Sequence, residues 1–159
     1  MTDATAKTPD DYVARALFHD EAAISCYHLL LDIAERADDI ADGDCEDPLG
    51  ELREVLVKTL CALPANIFWA RFSAALSGLV LQAVIDWEWA TRHQDQGGEE
   101  TAQSHVMRAS YIRILSTMAS ILGGAEHGAR TQEELMRVRI INFPSDHLSA
   151  FEKEMGLER

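Results

Sequence analysis

Three observations make this an all-α chain. Apolar residues recur at helical spacing along every long segment, and no strand-like alternation survives inspection. Proline and most of the glycines fall between those segments rather than within them. The segments also open and close on helix-capping residues. The expected architecture is a compact bundle of four principal helices plus a short C-terminal helical pair, with residues 1–7 as a flexible tail and 8–159 as a single helical domain.

Each element has its own justification. Thr8 serves as an N-cap before Pro9, with Asp10 and Asp11 in the first turn, so a long first helix is predicted to run to about Ala41 and to end at Gly43. Its apolar side carries Val13, Tyr27, Leu30, Leu31, Ala34, Ala37 and Ala41. Asp47-Pro48 opens a second helix with Leu49, Leu52, Leu56, Leu60 and Leu63 on one face, stopped by Pro64. The third, from about Ala65 to Arg92, is apolar nearly all round, which requires cover on several sides from its own domain or from a second subunit. Residues 94–100 make a turn. The fourth runs from about Glu99 to Leu122, stacks Met107, Tyr111, Leu115, Met118 and Leu122, and ends at Gly123-Gly124. Thr131 with Glu134 is a capping-box pattern for a short fifth helix, and Pro144-Ser145 introduces a sixth.

Charge narrows the function. The net charge is −13, which opposes the counterion release that drives nucleic-acid binding and disfavours anionic membranes. The longest stretch free of charged residues, 72–85, is 14 residues, short of the roughly 20 that span a bilayer. Residues 1–7 hold no apolar segment, so no signal peptide is expected. Three cysteines, Cys26, Cys45 and Cys61, form no CxxC pair and no even-numbered disulfide framework. A protein kept reduced in the cytoplasm, with no direct nucleic-acid or membrane partner, is the expectation.

Ten of the 23 residues from Asp32 to Glu54 are carboxylates. At helical pitch Glu21, His28, Asp32, Glu35, Asp39 and Asp42 fall within roughly 80° of one another. A solvated polar face explains such a column. A divalent-cation site explains it too, because magnesium takes hard oxygen ligands and bridges them to substrate phosphates. Asp38-Asp39-Ile40-Ala41-Asp42 is similar to the D-D-x-x-D motif of class I isoprenoid synthases, which implies all-α structure and magnesium held by Asp38, Asp39 and Asp42. That resemblance covers about five residues, and no second D-D-x-x-D follows.

Outside the column, Asp86 shares a face of the third helix with Gln82 and His93. A buried carboxylate there either holds a metal or pairs with a base, for which Arg108 and Arg92 are the candidates. Trp69, Phe72, Leu76, Val80 and Trp87 form a core face, and Trp89 lies on a second apolar face with Leu81 and Ile85. No zinc spacing, glycine-rich phosphate loop or nucleophile motif occurs. Two functions follow. The first is a non-catalytic acidic protein that assembles with copies of itself and offers an acidic surface to a basic protein partner. The second is a Mg2+- or Mn2+-dependent hydrolase or transferase acting on a phosphate or diphosphate ester. In it Asp32, Glu35, Asp39, Asp42 and Asp86 hold the metal, with His28 nearby and Arg108 on the phosphate.

Overall fold

The computed structural model describes residues 9–93, 98–107 and 110–142, and among these every regular element is helical. In chain order they are α1 (Pro9–Ala16), α2 (Glu21–Asp42), α3 (Pro48–Val57), a π turn (Lys58–Ala62), α4 (Leu63–Ala65), α5 (Ile67–His93), α6 (Gly98–Met107), α7 (Tyr111–Gly123) and α8 (Ala125–Asn142). The chain divides into two compact units with the boundary inside α5, after Leu76. The expected N-terminal tail and the helix after Pro144 lie outside the described residues.

In the first unit, the long first helix of the sequence reading is broken in two. Phe18 and His19 adopt positive φ angles of 52° and 57°, the left-handed region that non-glycine residues seldom occupy. The chain restarts on Asp20, whose Oδ1 accepts the Ala23 N–H at 2.8 Å. Asp20 is thus the N-cap of α2. At the other end Gly43, at φ 78°, closes α2 with its N–H on the Asp39 carbonyl. Tyr12, Val13 and Leu17 are buried, as are Ala23, Cys26, Tyr27 and Leu30 from α2.

Pro64 does not end the second helix as expected. It cannot donate to the Leu60 carbonyl and its ring would crowd it, and the wider π turn over Lys58–Ala62 lies immediately before it. The break comes at Asn66, which is extended (ψ 127°). Its side-chain oxygen accepts the Trp69 N–H, and its Nδ2 donates to the Ala22 carbonyl, each at 3.0 Å. One asparagine therefore caps α5 and ties its start to α2.

In the second unit, the predicted fourth helix is two elements, α6 and α7, on either side of residues 108–109. Ile112, Ile114, Leu115, Met118 and Ala119 of α7 are buried. The predicted fifth helix starts earlier than its capping box suggested. Gly124, at φ 84°, makes the turn, and α8 follows at once, leaving Thr131 buried inside it. Helices α7 and α8 approach closely at Gly128, where an added Cβ would stand 2.6 Å from the Ser116 carbonyl oxygen and 1.7 Å from Ser120 Oγ. By length and composition α5 is apolar enough to cross a membrane.

The serine oxygen can rotate away, but the backbone carbonyl cannot. Gly128→Ala should force the two helices apart at a cost of about 1–3 kcal/mol, lowering the thermal midpoint by roughly 2–10 °C. Calorimetry on the full chain measures this; an unchanged midpoint would mean that the crossing is loose.

Candidate functional site

The best-defined polar cluster joins α2, α3 and the π turn. Arg36 Nε donates to Asp32 Oδ1 at 2.9 Å, one helical turn away. The other Asp32 oxygen accepts from Lys58 Nζ, and Arg36 Nη1 reaches Glu51 Oε2. Partial burial alone would push the Asp32 carboxyl up. The hydrogen bonds and charges of Lys58 and Arg36 outweigh it and hold the group below its ordinary value.

This cluster decides how α3 lies. Glu51, Val55 and Lys58 are half-buried against α2, whereas Leu49, Leu52, Leu56 and Val57 are exposed and α3 buries no side chain at all. Leu49 is 80% exposed and Leu60, in the π turn, 69%. The four leucines do share a face, as their spacing indicates, but that face points outward; only Leu63 of the expected series is buried. The helix is inverted: its charged side is inside.

The remaining residues of the acidic column lie apart from this network. Glu21, Glu35, Asp39 and Asp42 are exposed, and Asp38, beside the column, is half-buried. His28 Nε2 lies 4.0 Å from Asp10 Oδ1, with its ring against Tyr27. Among the described residues no group of three or more His, Cys, Asp and Glu side chains is gathered as a metal ion would need.

In the second unit Asp86 is 2% exposed. Its Oδ1 accepts from Gln82 Nε2 at 2.7 Å, the neighbour anticipated from helical spacing. Its Oδ2 has no hydrogen-bond donor among the described residues; the facing base is Arg113 Nη1 of α7, at 3.7 Å. Arg92 pairs instead with Glu88, and Arg108 lies outside the described residues. His93 stacks on Trp89 at 4.3 Å and contacts the Trp89 carbonyl through Nδ1. On α5, Leu81, Val84 and Ile85 are exposed.

Sequence reasoning missed Arg113, Asn66 and Lys58. A signal existed for Asn66, an amide three residues before Trp69 at a helix start. None existed for Lys58, which meets Asp32 across 26 positions.

With this geometry in hand, the chain was compared with known proteins: no family model, curated protein or solved structure matches it. What the first unit offers is a charged seam inside and an apolar face outside, a surface suited to contact.

Two measurements check this description. The folded Asp32 carboxyl lies below its unfolded value, so its contribution is complete above about pH 4 and is lost as pH falls through the folded value. Asp32→Asn should lower the thermal midpoint at pH 7 by an amount equivalent to about 0.5–1 kcal/mol, the scale of solvent-screened pairs, with the gap closing in acid. A gap independent of pH would sink the network as a source of stability. Burial also pushes the Cys26 thiol up to about 11, whereas Cys61 is exposed. Iodoacetamide should therefore modify Cys61 in the native chain and spare Cys26 until denaturant is added, as read by peptide mass spectrometry.

Proposed function

We infer that the chain is a non-catalytic interaction protein, working in the cytoplasm, that carries a partner on its first unit and assembles with copies of itself. The observation that carries this reading is the inverted α3. Leu49, Leu52, Leu56 and Leu60 form one contiguous exposed apolar stripe, and stripes of that kind mark contact surfaces. Burying each leucine stabilises by about 1.5–3 kcal/mol, more than an exposed ion pair contributes. The isolated chain forgoes that gain, and a partner recovers it.

Self-assembly has separate support on α5. Leu81 and Ile85, on the second apolar face that the sequence marked for cover by its own domain or by a second subunit, are exposed there, as is Val84. A buried Asp86 facing Arg113 is what a helix packed against protein carries, and it argues against lipid around that segment. Three free cysteines support a reducing compartment.

Sedimentation velocity over a concentration series tests the assembly. The wild-type chain should associate in the micromolar range, and Leu81→Glu with Ile85→Glu should return it to monomer without loss of helicity. A chain that stays monomeric up to roughly 100 µM overturns self-assembly.

A further inference from the structure

We propose that the outward face of α3 docks a cationic amphipathic helix from another protein, a proposal that rests on the interaction reading above. Leu49, Leu52, Leu56 and Leu60 follow i, i+3, i+7, i+11 spacing, so the stripe is about 16 Å long, three turns of a helix laid along it. An amphipathic helix presents its own apolar stripe at the same period.

Charge selects among such helices. The stripe begins directly after the turn that carries Asp42, Asp44, Glu46 and Asp47, all exposed. Asp47 is occupied in capping the Gly50 N–H at 3.0 Å. Asp42, Asp44 and Glu46 have no cationic partner among the described residues. The nearby bases are engaged: Lys58 on Asp32, Arg36 on Asp32 and Glu51, and Arg53 beside Glu54 at 3.9 Å. The stripe therefore starts in a strongly negative field that lysines or arginines flanking a partner's apolar face would neutralise, speeding encounter and fixing orientation. A second copy fits this face poorly. Pairing α3 with itself would bring two copies of the same acidic turn to one face, with Arg53 as the one base on the exposed side of α3.

The test is fluorescence anisotropy of two labelled peptides of about 14 residues against the full chain. One has leucines at helical spacing with lysines elsewhere; the other replaces every lysine with glutamate. The Leu/Lys peptide should bind saturably and at least about tenfold more tightly than the Leu/Glu peptide. Leu56→Glu should weaken it about tenfold although it adds negative charge, and Asp42→Asn with Asp44→Asn should weaken it several-fold. Leu56 is half-exposed, and circular dichroism verifies that the variant keeps its helices. Unchanged or tighter binding to Leu56→Glu means that acidic charge alone attracts the peptide, and equal binding of the two peptides means that charge does not select; either overturns the proposal. If sedimentation shows self-association that Leu56→Glu abolishes, the occupant is a second copy; that overturns the cationic helix and leaves the interaction reading standing. Absence of both peptide binding and any self-association removes both readings.

Discussion

Asp32 sets the geometry of the first unit. It sits mid-way along α2, receives one base from its own helix and one from the π turn, and Arg36 extends the link to Glu51 on α3. Once those groups face α2, the rotation of α3 is fixed and its leucines, on the opposite side, cannot also face α2. Ion pairs this exposed contribute little each, so the seam holds by number and by geometry. The leucine side represents the larger free energy, and it is left unrealised within this unit.

The second unit is held differently. Helix α7 is apolar on its inner side, and α8 reaches it closely because Gly128 offers no side chain where Ser116 and Ser120 lie. Asp86 is its one charged group recorded as buried among the described residues, and Gln82 and Arg113 hold it in place. A guanidinium at 3.7 Å gives attraction without a direct hydrogen bond, so the pair joins α5 to α7 more by charge than by donor geometry.

How far the sequence foretold this depends on the element. Gly43, Asp47-Pro48 and Gly124 are local signals, and the helix ends they mark stand where the chain puts them. The corner at Phe18-His19 was illegible because neither residue is a turn former; its only trace is Asp20 in the following cap position. The leucines of α3 show why periodicity is insufficient. Spacing says which residues share a face, but which face turns inward was decided by Asp32 and Lys58, far apart in the chain. For Asp86, helical spacing supplied Gln82, whereas Arg113 sits on another helix and left no local signal. The acidic column was legible as a column; that, among the described residues, Asp32 alone of its Asp/Glu members is drawn into a network with bases was not.

An element that buries no side chain is cheap to open. Detaching and unwinding α3 would expose only the half-buried side chains such as Glu51 and Val55 and break a few screened ion pairs, so its amides should be among the first of this unit to exchange with solvent. Rising ionic strength loosens such a seam while leaving apolar packing intact. Covering the leucines from outside would slow that opening, so the rigidity of α3 would depend on whatever covers it.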